Sequence, residues 1–212
     1  MKNPIYLIAL LALGLVVVSY KWIAGGTGAS VTEAGNVTVD DIMTRSSVRA
    51  YTGRAMAKET VDTLLRAAMA APSAGNKQPW RMVVIDDRAT LTAIGEKFQS
   101  MKMASSAALA VVMCGDTTAT FPGEGRDYWV QDVSAASENL LLAAHAMGIG
   151  AVWCGIYPIS QRITDFSQML DLPANIIPMA CICIGYPEGM SEPKDKWRPE
   201  HVCHNVWGQK YL

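Results

Sequence analysis

The chain has 212 residues and a formal net charge of −1. That is enough for one domain with a sizeable core, and it offers no basic surface for a nucleic acid. Half of the residues are hydrophobic and 17% are charged, a globular composition with an apolar tilt. Five cysteines, an odd number without framework spacing, argue against a disulfide scaffold.

Residues 1–24 open the chain. The run from Ile5 to Val18 is 14 residues long and carries no charge. Its length suits the core of a signal peptide, and continuing to Ile23 makes a marginal membrane span. The reading favours a membrane-targeting segment, either a retained anchor or a cleaved signal, with the domain on the exported side. Residues 25–36 are rich in Gly, Ala, Ser and Thr and read as a flexible linker. The domain then occupies residues 37–212.

Thr38 is an expected N-cap for a short helix ending at Thr44. Next comes Arg45-Ser46-Ser47-Val48-Arg49. In an extended segment alternate residues share a face, so Arg45, Ser47 and Arg49 point together. Two guanidinium groups and a hydroxyl on one face suit a phosphate. Glu59 to Ala71 has helical spacing, and Pro72 stops it. The segment Ala70 to Asp87 then passes through a small-residue turn into an apolar strand, Met82 to Ile85. Gly75 and Asn76 allow that turn backbone angles most residues avoid.

Thr90 to Met101 reads as a helix. Ala108 to Cys114 reads as a strand covered on both faces. Gly115 to Asp127 reads as a short irregular loop. Asp132 to Met147 is the longest clear helix, broad in its apolar surface and closed by Gly148. Its His145 reads as a satisfied core residue. Ala151 to Cys154 begins a strand, Ser160 to Leu170 is a helix with Ser160 as its cap, and Ile176 to Ile184 is a long strand. Cys181 and Cys183 share one face of it as small buried groups. In the tail, Lys196 and Arg198 are two apart and aim at one side if extended. His201, Cys203 and His204 lack a further ligand cluster, so no metal is expected.

Five stretches in order carry a resemblance. They are Arg45 to Arg49, Ala71-Pro72-Ser73 with Asn76 and Gln78-Pro79-Trp80, Asp127 to Asp132, and Gly148 to Trp153, with Lys196-Trp197-Arg198-Pro199 near the end. Together they resemble the FMN-dependent nitroreductases over about Val39 to Gly208. The resemblance implies an α+β fold, a central mostly antiparallel sheet flanked by helices, in an intertwined homodimer. It implies that Arg45, Ser46, Ser47 and Arg49, with Lys196 and Arg198, hold the phosphate, ribityl chain and pyrimidine edge of FMN. Pro72, Ser73, Ala74 and Asn76 would line one side of the flavin, from the partner subunit. Trp153, Cys154, Gly155 and Ile156 would lie against the other side.

No side chain is expected to be catalytic, because the flavin carries hydride chemistry itself. NAD(P)H is the implied donor, and a nitroaromatic, quinone or similar small molecule the acceptor. Some relatives have glutamate where this chain has Gly155, which bears on the donor and substrate. Cys154 raises a redox role if a second cysteine lies near. Two other readings stay open. One is a membrane-tethered electron relay. The other is dehalogenation or flavin fragmentation, against which the short Gly115 to Asp127 loop counts.

Overall fold

The computed structural model describes residues 37–189 and 191–212, which fall in one compact unit, Ala34–Leu212. Residues 1–36, with the expected targeting segment and linker, lie outside the described residues. Among the described residues, no helix is long and apolar enough to cross a membrane.

Four strands form one antiparallel sheet: β1 (Trp80–Ile85), β2 (Leu109–Asp116), β3 (Gly150–Gly155) and β4 (Ile176–Gly185), in the order β1-β2-β4-β3. Successive side chains of a strand alternate between faces, and here both faces are covered. Val111 and Met113 of β2 and Ile182 and Ile184 of β4 join one core with α2 (Lys58–Met69) and α4 (Tyr128–Ala146). Ala110, Val112 and Cys114 of β2 and Cys181 and Cys183 of β4 join the second core. That core includes Leu91 and Ile94 of α3 (Arg88–Lys97) and Phe166 of α5 (Ser160–Met169). A strand with two covered faces needs apolar residues at every position, which is why β2 reads as an unbroken apolar run. Each fully buried Leu or Ile contributes roughly 1.5–3 kcal/mol to this assembly.

Several local expectations hold. In α1 (Val39–Thr44), Thr38 forms a reciprocal capping box with Asp41. After α4, Gly148 takes φ 69°, its N–H donates to His145 O, and the Ile149 N–H donates to Ala144 O. This is the left-handed helix stop that only glycine adopts without strain. Others shift. The expected helix from Thr90 to Met101 divides into α3 and a 3-10 stretch, Gln99–Ser106, kinked at Met101. Helix α4 starts at Tyr128, a turn earlier than the apolar spacing suggests. Ser160 is not a cap: Ile159 holds that position without a side-chain bond, and Ser160 is the first helical residue. The local signal there was a serine before an apolar-periodic stretch, and the turn after Pro158 places it one position late.

Candidate functional site

The segment after α1 is held along the sheet edge. The Val48 N–H donates to Ala151 O at 3.1 Å, and the Thr52 N–H donates to Tyr186 O at 2.9 Å. Tyr51 is buried, with its hydroxyl 2.7 Å from Val48 O and 2.9 Å from Cys183 O. Glycines make the approach close. A Cβ at Gly150 would lie 2.7 Å from Val48 Cγ1, and one at Gly185 would lie 3.0 Å from the Tyr51 ring.

So anchored, Arg45, Ser46, Ser47 and Arg49 line a cavity of about 300 Å³ whose other wall is the tail residues Ser191, Glu192, Lys194 and Lys196. Ser46 Oγ donates to Ser191 O at 3.3 Å, joining the two walls. Arg45 is oriented by Glu138 of α4, Nε to Oε1 3.3 Å. Four cations, against Glu192 in the lining and Glu138 on Arg45, leave a net positive pocket lined by three serine hydroxyls, a donor set that fits a phosphate. The sequence places Lys196 and Arg198 here. The structure places Lys194 and Lys196, while Arg198 Nη1 donates to the neighbouring Trp197 O at 2.7 Å. Lys194 was legible only as a second cation at the same two-residue spacing.

The turn between α2 and β1 forms the second group. Ala74–Asn76 is a single 3-10 turn in which Gly75 (φ 53°) and Asn76 (φ 54°) are left-handed, and Gln78 (φ 50°) follows. Ser73 Oγ accepts from the Gln78 N–H at 3.0 Å, and Gln78 Nε2 donates to Asn76 Oδ1 at 2.8 Å. Phe121 packs on Gly75, where a Cβ would lie 2.6 Å from Cζ. The Ala74 N–H donates to Asp132 Oδ1 at 2.9 Å. Pro72, Gly75 and Asn76 are exposed. Within one chain, none of the turn residues lines the cationic cavity.

The third group is the end of β3. Trp153 packs on the α2–α4 core, while Cys154 and Ile156 are buried in the other. Gly155 faces open space, with nothing within 4 Å of an added Cβ. Its carbonyl accepts from Arg162 Nη1 at 2.6 Å. The hydrogen-bonded Cys183 thiol and burial push the Cys154 thiol far above its ordinary range. A second cysteine is therefore beside Cys154, and both thiols are buried, with Cys154 Sγ donating to Ser100 O at 3.7 Å. His145 is half-buried and hydrogen-bonds Thr44 Oγ1 at 3.0 Å. In the tail, His201 and Cys203 line a cavity of about 590 Å³ with Trp207 and Leu212. Among the described residues, no cluster of His, Cys, Asp and Glu could hold a metal.

The Nitroreductase family model matches residues 42–118 and 100–186. The chain belongs to the nitroreductase family. A protein of Archaeoglobus fulgidus, provisionally named an NADH dehydrogenase/NAD(P)H nitroreductase, is 40% identical over 170 residues, 78% of this chain and 96% of that protein. A crystal structure from Parabacteroides distasonis under the same provisional name has TM-score 0.76 at 41% identity, covering 81% of this chain and 99% of that one. A 5,6-dimethylbenzimidazole synthase of Rhodospirillum rubrum is 34% identical over 173 residues, 68% of this chain and 78% of that protein. Nitroreductases are FMN-dependent oxidoreductases that use NAD(P)H. Membership makes this chain an oxidoreductase with the family's α+β fold.

Proposed function

We propose that this nitroreductase-family chain binds FMN and transfers two electrons, as hydride, from an NAD(P)H-type donor to a nitroaromatic, quinone or similar electron-poor acceptor in alternating half-reactions. The carrying observation is the pocket in which Arg45, Arg49, Lys194 and Lys196 converge with Ser46 and Ser47. FMN, when bound, supplies the hydride chemistry. The chain's residues bind and orient. The cations hold the phosphate. The Pro72 to Asn76 turn and the Trp153 to Ile156 strand end offer backbone to the ring. Gly155, with open space in place of a Cβ, leaves room for a flat ring to approach. No acid or base side chain is required of the protein.

The test is an anaerobic one. Apo-protein loaded with FMN is mixed with NADH or NADPH, then with a nitroaromatic or a quinone. Loss of the oxidised flavin absorbance and its return on adding acceptor are expected. Absence of bleaching with either nucleotide would point to an electron relay, and FMN not recovered intact would point to flavin fragmentation.

Exposed apolar surface and the N-terminal run bear on assembly and location. Val39, Ile42 and Met43 of α1 and Trp207 and Leu212 of the tail are more than half exposed. This exposed apolar surface, which a second copy would bury, supports a homodimer in which one copy's turn meets the other's strand end. The charge-free run from Ile5 to Val18 supports a membrane-bound or exported domain, with residues 25–36 as spacer. A reporter active on only one side of the membrane, fused after Leu212, is expected to signal on the outer side. A cytoplasmic signal would overturn export.

A further inference from the structure

We propose that Asp132 is a positioning residue for the turn that faces the flavin, an inference that rests on FMN being the cofactor. Its carboxylate holds the Ser73 to Asn76 backbone in a binding-ready shape before the cofactor arrives.

Asp132 lies in the second turn of α4 and is 5% exposed. Its neighbours on the buried face of that helix, Trp129, Val133 and Ala136, are apolar. Oδ1 accepts from the Ala74 N–H at 2.9 Å. Oδ2 is enclosed and has no hydrogen-bond partner among the described residues. For fold stability alone this is a poor residue. A buried carboxylate with one oxygen unfilled costs more than the apolar side chain that would fill the same volume.

What the carboxylate does accomplish is a hold on the turn. Gly75, Asn76 and Gln78 are all left-handed within four positions, and two of them are not glycine. Such a backbone persists only where its surroundings over-determine it. The Ser73–Gln78 and Gln78–Asn76 bonds are internal to the turn and move with it. Other contacts reach outside the turn. The Phe121 ring, from a loop that is itself at the surface, packs on Gly75 and has its centroid 5.2 Å from Lys77 Nζ, and Arg81 Nη1 of β1 donates to Gln78 O at 3.4 Å. The Asp132 bond ties the turn to α4, the longest helix among the described residues, across 58 residues of sequence. Losing it frees the peptide between Ser73 and Ala74, and FMN must then order the turn on binding.

The test uses the full chain with Asp132→Leu, Asp132→Asn and Ala74→Pro. FMN is titrated into apo-protein by quenching of its fluorescence, and the apo-protein melting temperature is read separately. Asp132→Leu is expected to raise the FMN Kd about tenfold or more while the apo melting temperature holds or rises. Asp132→Asn keeps an acceptor for the Ala74 N–H and is expected to stay within about threefold of wild type. Ala74→Pro deletes the same bond from the donor side. Ser73, at φ −141° and ψ 152°, already has the extended shape that precedes proline. It is expected to match Asp132→Leu in FMN affinity, which keeps the question measurable if the leucine variant does not fold.

Wild-type affinity in Asp132→Leu or in Ala74→Pro overturns the assignment. So does joint loss of stability and affinity in Asp132→Leu with no rescue by asparagine, the mark of a merely structural residue. Failure of wild type itself to take up FMN would instead overturn the functional reading beneath it.

Discussion

At the scale of single residues, the cationic pocket makes the sharpest prediction. A hydrogen bond to a charged group contributes about 1.5–3 kcal/mol, so Arg49→Ala or Lys194→Ala is expected to weaken FMN about tenfold to a hundredfold. Arg198→Ala is expected to change it by less than about threefold, since its guanidinium is turned to Trp197 O rather than to the pocket. Titration of apo-protein with FMN distinguishes the two sets. If Arg198 alone proves essential, the phosphate lies elsewhere. Asp116 makes a second prediction, about pH. Burial raises its carboxyl, but hydrogen bonds from Thr118 and Asn175 and the Arg81 charge, at 2.9 Å, outweigh burial and bring it down to about 2. A depressed carboxyl stabilises the fold at pH above its unfolded value. That contribution is lost as pH falls from the ordinary value of 3.8 through about 2. Asp116→Asn is therefore expected to flatten the fall in melting temperature across that acid range, with the largest difference from wild type above it. An unchanged acid slope would show that the pair carries no linkage.

At the scale of elements, the packing of α4 on β2 depends on a missing side chain. A Cβ at Gly115 would lie 2.1 Å from Trp129 Cε3, well inside contact distance. Trp129 is buried in the α2–α4 core and cannot swing outward without opening it. Gly115→Ala is thus an overpacking change, expected to destabilise by about 1–3 kcal/mol in urea unfolding. A wild-type midpoint would mean that the helix and strand can part without cost. The same element places the turn, since Asp132 is one helical turn beyond Trp129 on the face that meets it. Loosening this contact is expected to reach the flavin site as well.

At the scale of the whole molecule, the three groups of site residues sit on separate parts of one chain, and the α1 and tail apolar surfaces are exposed. A second copy would cover those surfaces and bring a turn to a strand end. Residues 37–212 are expected to sediment as a dimer and to release FMN as dilution drives the dimer apart. A monomer that retains its flavin would defeat the shared-site arrangement.

Sequence by itself determined the elements whose cause is local. The two-sided apolar run of β2, the Thr38 cap and the Gly148 helix stop are short-range effects, and each is found where its residues stand. Motif order determined the family, because several short patterns in one sequence specify more than any one of them. The tertiary structure decided what depends on the path of the chain. It set the strand order β1-β2-β4-β3, chose Lys194 over Arg198 for the pocket, and joined Asp132 to Ala74. The tail has no periodic pattern to fix which way each cation points, and a carboxylate on a helix carries no mark of the distant amide it will meet. Those choices come only from packing, where contacts far apart in sequence are selected by the fold as a whole.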